Sequence, residues 1–530
     1  VEIGRVLDVS GSGSRITLDG PILAMLSGNT DPAVATAGNI GSHVKIRVDR
    51  RWLVAVVRTL RLAEADGDLI LADVDFLGEA LAREEDDRLH MFRRGVTRYP
   101  VPGSRIFPVD SQDLKQMFAT DARAHIEIGT VYPTSDVRAA IYVDAFLGKH
   151  FALLGSTGTG KSTSTALILH RICELAPNGH IVMIDPHGEY SEAFKDTGAL
   201  YDVNNLAMPY WLMNFEEHCE VFITSGGDER QADCDILAKC LLAARAKSRV
   251  AEGIGKLTVD SPIPYLLTDL TQIIQTEMGK LDKAGTSAPY MRVKTKIDEI
   301  RSDPRYSFMF SGMLVGDTMA DFLSKVFRLP GNGKPISIID VSGVPSDIVS
   351  VVVAMLSRMV FDYAIWARGE EQNPVLLVCE EAHRYVPSDR MTTGQAVRGV
   401  LERIAKEGRK YGVSLGLITQ RPSDLAEGVL SQCGTIVAMR LNNDRDQAFV
   451  KSAMPEGARG FLDSIPALRN REAIICGEGV SIPIRVSFDD LEANKRPASQ
   501  DPVFSELWAR EGGETEMLKR VIHRWRTQGR

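Results

Sequence analysis

A chain of 530 residues is longer than one hydrophobic core usually serves, so two or more domains are expected. Hydrophobic residues make up 44% and charged residues 25%, an ordinary globular balance, and no uninterrupted apolar run approaches the ~20 residues that span a bilayer, which predicts a cytoplasmic protein with no membrane partner. Seven scattered cysteines without C-x-x-C spacing argue against a disulfide framework or a zinc site, and a formal charge of -8 argues against a surface coated with nucleic acid, though not against a basic channel inside an acidic shell.

Up to about residue 125, short Val/Ile/Leu runs (Val44 to Val48, Trp52 to Val57, Leu69 to Val74) alternate with turn signals (Ser10 to Ser14, Asp66 to Asp68, Pro102 to Ser104), which predicts a small β-barrel over residues 1–125. From Ile126 to Asp185 the order becomes strand, glycine-rich loop, helix, strand, a βαβ unit. Residues 206–330 carry helical spacing at Ile236, Leu237, Cys240, Leu241 and Ala244 and again at Leu266, Leu270, Ile273 and Ile274, and are expected to form a helical insertion. Strands return at Ile336 to Val341, Val375 to Cys379, Ser414 to Thr419 and Ile436 to Met439. The α/β core is therefore expected over 126–205 and 331–490, split by the insertion. Residues 491–530 read as a polar tail ending in an amphipathic helix, with Met517, Leu518, Val521, Ile522 and Trp525 opposite Lys519, Arg520, His523, Arg524 and Arg526.

The chemistry concentrates in that core. Gly155, Ser156, Thr157, Gly158, Thr159, Gly160, Lys161 and Ser162 spell G-x-x-x-x-G-K-[ST] between the apolar run Phe151 to Leu154 and the helical Thr163 to Cys173. Glycines allow the tight loop whose N–H groups cradle phosphate oxygens, Lys161 reaches the β/γ-phosphates of ATP, and the Ser162 hydroxyl ligates Mg²⁺. A second apolar strand ends in Glu380 and Glu381; the first is expected to hold the hydration shell of Mg²⁺, the second to orient or deprotonate the attacking water. Gln420, at the end of Ser414 to Thr419, is placed to sense the γ-phosphate or position water, and Asp185 ends another strand at the same edge. Arg403 and Arg409 are candidates to reach a neighbouring subunit's γ-phosphate. Arg384, Arg390 and Arg398, among Ser388, Thr392, Thr393 and Gly394, have the composition of a phosphate-tracking loop.

Taken together, the glycine-rich loop, Asp185-Pro186-His187-Gly188-Glu189-Tyr190, Glu380-Glu381-Ala382-His383, the stretch Arg403 to Gly412 and Thr419-Gln420-Arg421-Pro422 resemble the HerA family of hexameric ATPases, relatives of the FtsK-type DNA translocases. The resemblance covers nearly the whole chain. It implies a RecA-like P-loop core behind a small barrel, a homo-hexameric ring with ATP sites between subunits, and duplex DNA through the hole. Lys149 stands where that family often has an arginine near the nucleotide, Glu380 replaces a commoner Asp, and Arg469-Asn470-Arg471 lacks a glycine often found before the last core strands. Family membership also implies a partner: a NurA-like nuclease in DNA-end resection, or an antiphage effector such as a sirtuin-like NADase or a nuclease. The competing reading is a ring-shaped scaffold that activates an effector without translocation.

Overall fold

The computed structural model describes residues 1–63, 68–280, 287–389, 394–454, 458–498, 502–510 and 512–527. The chain gathers into two compact units. Val1–Ala176, Glu381–Asp389 and Ser414–Ala493 form the first; Pro177–Glu380, Arg390–Val413 and Asn494–Arg530 form the second.

The first unit begins with seven strands: β1 (Gly4–Val9), β2 (Gly13–Asp19), β3 (His43–Val48), β4 (Arg51–Leu62), β5 (Leu69–Ala82), β6 (Leu89–Arg94) and β7 (Arg105–Pro108). Their order is β2-β1-β7-β3-β4-β5-β6, and β5 also pairs back onto β2 from Gly13↔Asp75 to Asp19↔Leu69, closing six strands into the expected barrel. Alternate residues point inward, so Ile16, Leu18, Val44, Ile46, Leu53, Ala55 and Val57 fill its core. β4 and β5 run well beyond the apolar stretches expected for them. Two register shifts in their pairing, at Val54/Ala55 and Val57/Thr59, reverse the phase of the alternation and hide the continuation from a period-2 reading.

The remaining strands are, in chain order, β8 (His125–Val131), β9 (Arg138–Tyr142), β10 (Phe151–Leu154), β11 (Ile181–Asp185), β12 (Gly198–Tyr201), β13 (Ile336–Asp340), β14 (Val375–Cys379), β15 (Val413–Thr419), β16 (Thr435–Met439), β17 (Glu472–Gly477) and β18 (Ile484–Phe488). In the first unit they run β15-β10-β16-β17-β18-β8-β9. β10 is parallel to both its neighbours, and every residue of β10, β15 and β16 is buried, as strands covered on both faces must be. In the second unit the order is β12-β13-β11-β14, all parallel.

Helices of the second unit include Phe215–Phe222, Gly227–Ala246, Leu267–Gly279, Ala288–Ser302 and Met319–Phe327, in the stretch expected to be a helical insertion. Leu237, Cys240, Leu241, Ala244, Leu270 and Ile274 are buried there as their spacing requires, whereas Leu266 caps its helix and is 41% exposed. Among the described residues one helix, Val349–Trp366, has the length and mean hydropathy (1.5) to cross a membrane, although it carries Arg358 and Asp362 and ten of its residues are buried within the protein. The tail ends in the helix Thr515–Thr527, wholly exposed, with its five apolar residues on one face.

Candidate functional site: a phosphate-binding loop and its carboxylate

β10 delivers the glycine-rich loop at its carboxyl end, and the helix Lys161–Leu175 starts directly behind it. Gly158 and Gly160 take φ values of +78° and +92°, a region L side chains avoid, and Gly160 is the residue from which the helix departs. The loop is clamped by its surroundings. The Ser156 N–H donates to Arg440 O (2.9 Å), the Asn442 N–H to Ser156 Oγ (3.1 Å), the Thr159 hydroxyl to Ser156 O (2.8 Å) and the Arg471 N–H to Thr159 O (2.8 Å). A Cβ on Gly160 would lie 2.9 Å from Arg471 Cγ. Arg471 itself has φ +64°, a left-handed backbone that a side chain such as arginine seldom adopts, and its guanidinium pairs with Asp490.

Lys161 and Glu381 come together. Both side chains are under 9% exposed, and Nζ lies 3.7 Å from Glu381 Oε1. Glu381 has φ +52° and ψ +44°, a left-handed conformation costing about 1 kcal/mol for a non-glycine residue; the sharp turn it makes carries its carboxylate back toward the loop. His383 lies behind it, its Nδ1 3.2 Å from Glu381 Oε2 and 3.0 Å from Thr419 Oγ1. Burial holds the His383 imidazole below its usual pKa, which favours the neutral form; the nearby Glu381 charge pulls the other way. One N–H at Nδ1 can serve one of these oxygens well, so His383 links the orientation of Glu381 to the end of β15.

Gln420, the residue after β15, accepts a hydrogen bond from Thr157 Oγ1 (2.5 Å) and so reaches the loop itself. Beside this contact a cleft of about 550 Å³ opens, lined by Ser156, Thr157, Gln420, Arg421, Asn443 and Arg445 among others. Lys149 pairs with Glu478, and its carbonyl accepts from the Gly434 N–H.

Within the second unit, Asp185 is fully buried and its carboxylate accepts three backbone N–H groups of the turn it begins, from His187 (3.1 Å), Gly188 (2.9 Å) and Tyr190 (2.9 Å). Burial, reinforced by Asp340, pushes its pKa up to about 6. Glu380 is 3% exposed and accepts from the Tyr190 hydroxyl (3.0 Å). Arg403 lies 4.8 Å over the Phe361 ring and 3.9 Å from Glu407, about half exposed; Arg409 is exposed and makes no side-chain hydrogen bond or ion pair among the described residues. One expectation needs correction. Arg398 does not belong to an open phosphate-tracking loop: it sits on the buried face of the helix Gln395–Glu407, bonded to Glu402 at 2.9 Å. Arg384 is exposed, and Arg390, Thr392 and Thr393 lie outside the described residues.

Reading the sequence missed the roles of Tyr190, His383 and Arg471. The first two stand inside motifs already noted, but nothing local says that Tyr190 reaches a carboxylate 190 positions away.

A phosphate loop between a buried parallel strand and a helix, with a buried carboxylate at its lysine, defines a P-loop ATPase. Residues 126–360 match the family described as "Helicase HerA, central domain". A probable helicase of Methanocaldococcus jannaschii is 25% identical over 91% of this chain and 92% of its own length. The DNA double-strand break repair helicase HerA of Pyrococcus furiosus is 25% identical over 84% of this chain and 83% of its own, and that of Saccharolobus solfataricus 25% over 76% of each. Among solved structures, VirB4 of Thermoanaerobacter pseudethanolicus superposes with a TM-score of 0.52, covering 71% of this chain and 99% of that one; at 15% identity the likeness is one of fold.

Proposed function

We propose that the chain is an ATP-driven motor acting on duplex DNA, assembled as a homo-hexameric ring and working with a partner nuclease or effector enzyme. The observation that carries the reading is the buried Lys161–Glu381 pair at the glycine-rich loop. A phosphate entering the loop competes with Glu381 for the Lys161 ammonium, which frees the carboxylate to accept a proton from water as Lys161 turns to the β/γ-phosphates. Thr157 and Gln420, already bonded to one another, stand where the presence of a γ-phosphate can be transmitted to β15. Mg²⁺ would neutralise phosphate charge during the transfer. The Ser162 hydroxyl and the Glu380 carboxylate are hard oxygen donors of the kind that ion takes, directly or through its waters.

Two of the relatives named above carry the name of DNA repair helicases, which supports DNA as the substrate. The exposed Arg403 and Arg409 suit a finger acting on a neighbouring subunit's nucleotide. Among the described residues no group of three or more side chains is placed to hold a metal ion, and in this reading any cutting of DNA is assigned to the partner. The test is steady-state ATP hydrolysis by the purified chain, with and without duplex DNA, alongside its native mass. Hydrolysis raised severalfold by duplex without sequence preference, falling with salt and abolished in Lys161→Ala, is expected. Hydrolysis indifferent to DNA, with the partner present, would replace the motor by a nucleotide-gated scaffold.

A further inference from the structure

Glu380 has one more rotatable bond than the aspartate commoner at its place, and a carboxylate that must meet an ion's water shell in one orientation needs something to fix it. The second unit contains the means. β11 and β14 are neighbours with Ile184 beside Cys379, and the Glu380 N–H donates to Ile184 O (3.2 Å), so Asp185 and Glu380 leave adjacent strands at the same level. After Asp185 the chain turns back sharply. The three N–H groups gathered by the Asp185 carboxylate hold that turn, and Gly188 within it takes φ +69°, where a Cβ would also lie 2.9 Å from Asp340 Oδ2. The turn ends by inserting Tyr190, 0% exposed, with its hydroxyl 3.0 Å from Glu380 Oε2.

We propose that Tyr190 is a positioning residue for Glu380, and that Asp185 acts through Tyr190 by fixing the turn that carries it, rather than by touching nucleotide itself. A phenol suits the task. It donates one directional hydrogen bond, which locks the carboxylate's rotation, and it adds no charge, so Glu380 keeps the full negative charge that attracts a hydrated cation; a lysine or arginine there would cancel it. The backbone N–H of the same tyrosine is one of the three donors to Asp185, so phenol and turn move as one piece. The proposal rests on the reading of Glu380 as the holder of the Mg²⁺ hydration shell.

The experiment uses the full-length chain with Mn²⁺ as the probe, its affinity measured by electron paramagnetic resonance with a non-hydrolysable ATP analogue, together with the Mg²⁺ dependence of hydrolysis and the melting temperature. Tyr190→Phe keeps the ring and removes the hydroxyl. It is expected to weaken Mn²⁺ and raise the half-saturating Mg²⁺ by about tenfold, the scale on which outer-shell partners act, with analogue affinity in EDTA and melting unchanged. Asp185→Asn is expected to shift the metal dependence in the same direction, and the double variant to do no worse than Asp185→Asn alone, because both act on one contact. Glu380→Gln is the reference. If it weakens Mn²⁺ while Tyr190→Phe leaves the metal affinity at wild type, or only lowers the melting temperature, the positioning role is refuted and the reading of Glu380 stands. If Glu380→Gln leaves Mn²⁺ untouched, both fall together.

Discussion

Acid should unfold the first unit through one histidine. His43 begins β3, is fully buried between Phe118 and Phe461, and has a ring Nε2 with no hydrogen-bond partner among the described residues. Burial in these surroundings pushes its pKa from 6.5 down to about 4. Above pH 6.5 the ring is neutral whether the chain is folded or unfolded and has no effect on the balance. Between 6.5 and about 4 the unfolded chain takes up a proton that the folded one refuses, so stability falls as the pH falls. That interval, at about 1.4 kcal/mol per pH unit, amounts to about 3 kcal/mol, or roughly 6–12 °C in melting temperature for a unit of this size. His43→Leu keeps an apolar side chain of similar bulk and removes the titration. Thermal melts of both proteins from pH 7.5 to 4 should therefore diverge, with the variant losing about 3 kcal/mol less. Parallel curves would refute the argument and place the acid sensitivity in carboxylates elsewhere.

Three further outcomes follow from the site. Gly160→Ala puts a Cβ at φ +92° and 2.9 Å from Arg471 Cγ, so ATP affinity measured by calorimetry should drop by about tenfold or more; adding Arg471→Gly should recover the steric share and leave the backbone share of about 1–2 kcal/mol. Glu381→Gln should retain nucleotide binding while turnover falls by about 100-fold or more, since a carboxamide accepts no proton; wild-type turnover would remove Glu381 from the chemistry. If Arg403 or Arg409 acts on a neighbouring subunit, its alanine variant mixed with Lys161→Ala subunits should regain hydrolysis at mixed interfaces. The loss in the unmixed arginine variant should be about 10³-fold, and absence of recovery in rings of verified mixed composition would count against both arginines.

The parts of this protein that were legible from its sequence are those whose determinants are neighbours along the chain. The glycine-rich loop needs eight successive residues with a strand before and a helix after, and β10 and the helix Lys161–Leu175 stand where that rule puts them. β14 could be read to the residue, because five buried apolar positions end abruptly in two acids. What escaped depends on distance or on backbone shape. Gln420 could be ranked by its place at a strand end, yet its bond to Thr157 spans 263 positions. The left-handed turn at Glu381 has no signature in residue type, since glutamate is not a residue that prefers it. Arg398 misleads because an arginine near Ser, Thr and Gly suits a phosphate-tracking loop by composition, whereas the helical period of Gln395–Glu407 puts this one on the buried face, bonded to Glu402.

The strand pairing also sets a timetable for synthesis. The six strands of the barrel all find their partners by β7, so its sheet can close once residue 108 has left the ribosome. The hairpin of β8 and β9 follows within seconds, but the other neighbour of β8, on the inner side of the sheet, is β18, about 350 residues later. At ~5–20 residues per second that strand edge stays unpaired for roughly 20–70 s, beside a barrel already complete. A nascent chain of this protein therefore carries an open β-edge throughout that interval, and the binding of a chaperone to stalled chains should peak after residue 142 emerges and fall only when residue 488 does.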